Sequence, residues 1–134
     1  MAADAKGVAA FVRRSGALLV LAAVACGGCG RGADERASRW TGGEPSRGKV
    51  TIRRFGCSSC HTIPGITGAD GLVGPPLDRL ASRAYIAGSV PNTPQNLIRF
   101  LAHPHGPHPT TAMPEMRIPE RDLRDIAAYL YTLR

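Results

Sequence analysis

A small all-α domain of about three to five helices is predicted, on three observations. The first is the run 119–133, where Leu123, Ile126, Ala127, Leu130 and Leu133 form a stripe at helical spacing. The second is Thr93-Pro94, a capping residue and a first-turn proline, ahead of Leu97, Ile98 and Leu101. The third is Gly48, Ile52 and Phe55, which share one face of a segment opened by Glu44-Pro45 and running into Cys57-Ser58-Ser59-Cys60-His61. A chain of 134 residues suits one domain, but 43 % apolar content with only 5 % aromatics leaves a modest core that needs something further to pack on.

Residues 1–25 read as an export signal. Lys6, Arg13 and Arg14 supply a positive end, an apolar run follows from Ala17 to Ala25, and small residues close it. That run is about half the roughly 20 apolar residues a membrane span needs. Ala23-Val24-Ala25 fits an ordinary cleavage site, whereas Ala25-Cys26-Gly27 resembles a bacterial lipobox, which favours cleavage before Cys26 and its lipidation. Several acyl chains would give stable anchoring. Residues 26–43 are polar and small, without periodicity, and are expected to be a flexible tether spanning roughly 20 Å. Trp40 reads as a linker or interfacial aromatic. The folded domain is expected over 44–134, with Gly48 in mid-helix suggesting close approach of another element.

The motif Cys57-x-x-Cys60-His61 is the spacing of a c-type haem attachment site. On one turn of helix both thiols project to one side, where they can add to the two vinyl groups of a porphyrin. His61 then stands as proximal iron ligand through one ring nitrogen, the other donating to a carbonyl. Two competing chemistries use the same residues. A thiol-redox protein would need only Cys57 and Cys60, and a four-thiolate zinc site would add Cys26 and Cys29. The first pair abuts the export signal and an exported chain meets oxidising conditions, which weighs against zinc. Cys29 has no role derivable from the sequence. A haem that only carries electrons needs a second axial ligand, and Met113 and Met116 are the only methionines after the first residue.

Between the helices lie loops rich in Gly and Pro with apolar residues interleaved, 62–65 and 72–77, and these would pack on a flat ring. A short helix is possible over 81–87. His103, His105 and His108 raise a second metal site or a bis-His haem, but the prolines between them keep the segment extended and a solvated loop is expected. Thr110 to Met116 is the candidate strap for the distal ligand.

Over 43–134 these motifs, in this order, resemble a class I cytochrome c, a mono-haem His/Met protein, and in particular the small bacterial cytochromes associated with terminal oxidases. The resemblance implies that Gly48 crosses the last helix against Tyr129, and that Gly74-Pro75-Pro76-Leu77 presents the Pro75 carbonyl to the His61 N–H. It implies that Thr111-Ala112-Met113 makes Met113 the ligand in preference to Met116. It also implies that Arg83 and Tyr85 hold haem propionates. The tryptophan many members keep near a propionate has no clear counterpart in the domain.

The function expected is single-electron transfer by one covalent haem c, without a catalytic step or small-molecule substrate. The protein would sit on the periplasmic side of the bacterial inner membrane, anchored by a lipid on Cys26, and exchange electrons with a terminal oxidase or a quinol-oxidising complex. A fixed haem subunit of a larger membrane complex is the alternative. Of 17 Lys and Arg and 10 Asp and Glu, the first 25 residues take Lys6, Arg13, Arg14 and Asp4, which leaves 14 against 9 and a net charge of +5. Such a surface steers toward acidic partners. Nucleic acid is not expected, since an exported chain would not meet it.

Overall fold

The computed structural model describes residues 28–134. The expected export signal and Cys26 lie outside the described residues. Two compact units divide the chain, 1–32 and 33–134, and the second holds nearly everything described. Its helices are α1 (Gly28–Thr41, beginning in the first unit), α2 (Pro45–Arg54), α3 (Pro94–Ala102) and α4 (Glu120–Leu130). A two-stranded antiparallel hairpin, β1 (Tyr85–Ile86) with β2 (Val90–Pro91), completes it.

The segment expected to be a flexible tether is helical, and from Ala33 onward it belongs to the domain. Ala37 and Thr41 are each 1 % exposed, and they are four residues apart, so one narrow face of α1 packs inward. Trp40 meets Tyr131 edge-on, with centroids 6.1 Å apart. Arg124 Nη1 donates to Thr41 O at 3.2 Å. The helix stops at Gly42, whose φ of +70° is the left-handed conformation of a helix C-terminus. The buried face is made of small side chains, so it carries no hydrophobic stripe for the sequence to show.

Helix α2 starts as expected, with Pro45 in its first turn after an extended Glu44. Its crossing with α4 is the tightest contact in the fold. A Cβ on Gly48 would lie 1.9 Å from Asp125 O and 2.9 Å from Tyr129 Cβ. A Cβ on Gly43 would lie 2.1 Å from Arg124 O. Beside the crossing, Asp125 is 1 % exposed. It accepts from Arg47 Nε at 2.8 Å, Arg47 Nη2 at 2.9 Å and the Glu44 N–H at 2.7 Å. Burial works against the charged carboxylate, yet the Arg47 fork and the Glu44 N–H outweigh it and hold Asp125 below the usual carboxylate range.

Thr93 caps α3, accepting from Asn96 N at 3.2 Å, and Leu97 and Leu101 face the core. In α4 burial is broader than the expected stripe: every residue from Asp125 to Leu130 is buried. A hairpin replaces the short helix considered for 81–87. Leu80–Ser82 is a single 3₁₀ turn, and Ala87 and Gly88 both take positive φ (49° and 79°) to reverse the chain and bury Ile86.

Two stability outcomes are expected. Gly48→Ala drives a methyl into the α4 backbone and costs about 3 kcal/mol or more, whereas Gly32→Ala, with nothing within 4 Å, gains up to about 1 kcal/mol of helix propensity; thermal denaturation of both checks this. Asp125→Asn costs about 2 kcal/mol by loss of charge-assisted hydrogen bonds. Because the folded pKa of Asp125 is depressed, its contribution is full above the ordinary carboxylate pKa and is lost as pH falls through the folded value. Denaturant titrations across the acid range should show the wild type losing that advantage over Asp125→Asn.

Candidate haem site

Helix α2 hands the chain directly to the motif. Phe55 caps it, Gly56 turns with φ +69°, and Cys57–Ser59 forms a 3₁₀ turn. Ser59 N and Ser59 Oγ both donate to Gly56 O, at 3.0 and 2.7 Å, and His61 N donates to Cys57 O at 3.1 Å. The cysteines and the histidine are thus wound into one tight turn. Cys57 and Cys60 are half-buried free thiols. Burial pushes the Cys57 thiol up, so it stays protonated at neutral pH.

The loop 71–77 is laced onto this turn. Thr62 Oγ1 donates to Gly71 O at 3.1 Å. Gly74 N donates to Cys60 O at 2.7 Å and Leu77 N to Thr62 O at 2.9 Å. Glycine is required twice here: a Cβ on Gly71 would lie 2.6 Å from Cys60 C, and one on Gly74 would lie 2.3 Å from His61 Cε1. The loop therefore lies flat on the imidazole. His61 Nδ1 donates to Pro75 O at 2.7 Å. That bond fixes the tautomer and leaves Nε2, which has no hydrogen-bond partner among the described residues, as the free lone pair.

Behind the motif, Tyr129 OH donates to Pro64 O at 2.8 Å, and Gly65, at φ +76°, makes room for the phenol. The distal candidates lie in the extended stretch before α4. Met113 and Met116 are both half-buried and pack against the core, and Met113 N donates to Thr111 Oγ1 at 3.2 Å. The Arg83 guanidinium donates to Pro76 O at 2.6 Å and Asp78 O at 2.7 Å. Tyr85 is 57 % exposed, on β1 opposite Pro91. His103, His105 and His108 diverge: His105 Nδ1 lies 3.8 Å from Glu115 Oε1, and His108 Nε2 lies 3.3 Å from Ser89 Oγ. No group of three metal-ligating side chains is found among the described residues.

One polar residue at the site escapes the sequence reading. Asn92 Nδ2 donates to Leu80 O at 2.7 Å and Arg83 O at 2.9 Å, and its Oδ1 accepts from Tyr131 OH at 2.8 Å. Asn92 precedes a helix cap, where Asn-Thr-Pro reads simply as a turn, so no pattern marks it. Tyr131 is 4 % exposed, and burial pushes its phenol up to about 12.

The residues present suit a flat apolar ring carrying iron. Two free thiols stand beside an imidazole with one open nitrogen, and a thioether is available. Phe55, Leu77, Phe100 and Met113 pack on the core yet remain part-exposed. Fold and site together define a small helical domain that takes a porphyrin on a C-x-x-C-H turn. A family model for cytochrome c matches residues 45–134, and the chain belongs to the cytochrome c family. Neither a comparison with curated proteins nor one with solved structures returns a match. The family binds covalently attached haem c, which is the cofactor of this chain, and its members are haem-based electron carriers.

Proposed function

We propose that Cys57 and Cys60 form the thioether links, that His61 and Met113 are the axial ligands, and that the protein shuttles single electrons between redox proteins of a respiratory membrane. The observation that carries this is the His61 Nδ1–H to Pro75 O bond directly behind the C-x-x-C turn. It orients the imidazole with Nδ1 as the donor nitrogen and Nε2 available to a metal. Haem c supplies a one-electron iron couple. The chain's residues would hold it through Cys57, Cys60, His61 and Met113, and with His61 and Met113 both ligating the iron no position would be left for oxygen or peroxide. A His/Met pair also sets a moderately positive potential.

In this reading residues 1–25 export the chain and a lipid on Cys26 anchors it at the periplasmic face of the inner membrane. No described helix is long and apolar enough to cross a membrane. The net charge of +5 beyond residue 25 favours an acidic docking patch on a terminal oxidase or quinol-oxidising complex, with salt-sensitive rates.

The test is a visible spectrum of the haem-loaded protein, reduced against oxidised, extended to the far red. A c-type α band with a weak far-red sulfur-to-iron band is expected, and the latter should vanish in Met113→Ala while surviving in Met116→Ala. Loss in Met116→Ala instead would exchange the two methionines. A spectrum with the α band but no sulfur band would return the histidines of 103–108 to the distal position.

A further inference from the structure

Two successive carbonyls of one loop are held from two different segments. Pro75 O accepts from His61 Nδ1 at 2.7 Å, and Pro76 O accepts from Arg83 Nη2 at 2.6 Å. Neither proline has an N–H, so the 74–75 and 75–76 peptides donate nothing, while the peptide that carries the Pro76 carbonyl donates through Leu77 N. The flanking donors Gly74 N and Leu77 N are spent on Cys60 O and Thr62 O. Leu77 N on Thr62 O and Arg83 on Pro76 O therefore hold one peptide plane from its two sides, and Arg83 is the side chain that donates to it. Its Nη2 also reaches Asp78 O at 2.7 Å, and the Asp78 carboxylate lies 3.6 Å away.

Arg83 is itself held. Asn92 Nδ2 bridges Arg83 O and Leu80 O, Asn92 N donates to Ala84 O at 2.9 Å, and Tyr131 OH closes on Asn92 Oδ1. Tyr131 is the residue at the end of α4, the helix locked to α2. Hydrogen bonds thus link the end of α4 through Asn92 to the Arg83 backbone and from the Arg83 side chain to Pro76 O, the covalent neighbour of the carbonyl that sets the His61 ring.

We infer that Arg83 and Asn92 are positioning residues for His61, holding the Pro75-Pro76 loop so that the Pro75 carbonyl stays aimed at the imidazole. This is a different role from the propionate contact expected of Arg83. A short Nδ1–H···O bond makes the imidazole a stronger donor through Nε2 and favours the oxidised metal. Loosening the loop lengthens that bond and raises the potential. The inference rests on the reading of His61 as iron ligand.

The experiment uses the reduced, haem-loaded protein with ¹⁵N-labelled histidine. It follows exchange of the His61 Nδ1 proton with solvent, with α4 backbone amides as a monitor of global opening, alongside redox titration. Arg83→Lys keeps the charge but removes the planar fork. It should speed Nδ1 proton exchange by about tenfold or more, leave the α4 amides unmoved and shift the potential upward. Asn92→Leu should act in the same direction, and the double variant should add little to the larger single effect, because both act through one loop. Tyr131→Phe, which removes a single O–H, gives a milder version should Asn92→Leu fail to fold.

Unchanged exchange and potential in Arg83→Lys, with a lowered potential in Arg83→Met, would reduce Arg83 to a charge near a propionate and overturn the inference. Acceleration of the α4 amides in step with His61 would overturn it too, by making the effect one of stability. If the parent protein lacks a c-type α band, the ligand reading itself falls; if the parent is normal and the variants are silent, only the positioning role does.

Discussion

The approach of α2 to α4 at Gly48 is the constraint from which the rest of the structure follows. With a Cβ position 1.9 Å from Asp125 O, the two backbones are in contact with no side chain between them. Only one relative placement of the helices satisfies that contact, and Asp125 registers it. Its carboxylate takes three hydrogen bonds, from the Arg47 side chain and the Glu44 N–H at the start of α2. A buried charge held this way is costly to misplace, so it specifies the crossing more than it deepens stability. The far end of α2 is the C-x-x-C-H turn, and the far end of α4 carries Tyr129 and Tyr131. Fixing the crossing therefore fixes both walls of the site.

Those walls are built from backbone more than from side chains. Gly43, Gly48, Gly71 and Gly74 all sit where a Cβ would fall within 2.6 Å of a neighbouring backbone or ring atom. Close backbone approach lets carbonyls serve as the functional groups: Pro64 O takes the Tyr129 hydroxyl, Pro75 O the imidazole and Pro76 O the guanidinium. This suits a chain with few aromatics. A ring cofactor can fill the volume that large side chains would otherwise occupy, provided that the loops around it are held by hydrogen bonds and not by packing alone.

Sequence reasoning reached the parts whose signal is local. The C-x-x-C-H motif, the Thr93-Pro94 start of α3, the stripe of α4 and the glycine at the crossing are each written within a few residues. Helix α1 was illegible because its buried face is Ala37 and Thr41, small residues among charged ones, and the side chain that ties its end to α4, Arg124, lies more than 80 residues on. The hairpin at 85–91 was illegible because Ala87 adopts a left-handed φ that its type does not advertise. Asp125 reads from sequence as one more acid near a helix N-terminus; only the fold turns it inward onto Arg47. Asn92 is the same kind of case, a turn residue until three partners converge on it.

The two sides of the site are held unequally. On the His61 side, bonds arrive from 71–77 and, through Arg83 and Asn92, from the end of α4. On the Met113 side the hydrogen bonds are short-range: Thr111 N to His108 O at 3.1 Å, Met113 N to Thr111 Oγ1 at 3.2 Å and Ile118 N to Met116 O at 2.7 Å. Each of these closes a turn within the strap and none ties it to another element. Beyond these turns the strap is held by Met113 and Met116 packing against the core, by His105 Nδ1 lying 3.8 Å from Glu115 Oε1, and through His108, whose Nε2 lies 3.3 Å from Ser89 Oγ. Local opening draws on the least-tied segments first. By that measure local opening of this region starts in the 110–116 segment, while the 71–77 loop, tied to Cys60, His61, Thr62 and Arg83, opens later.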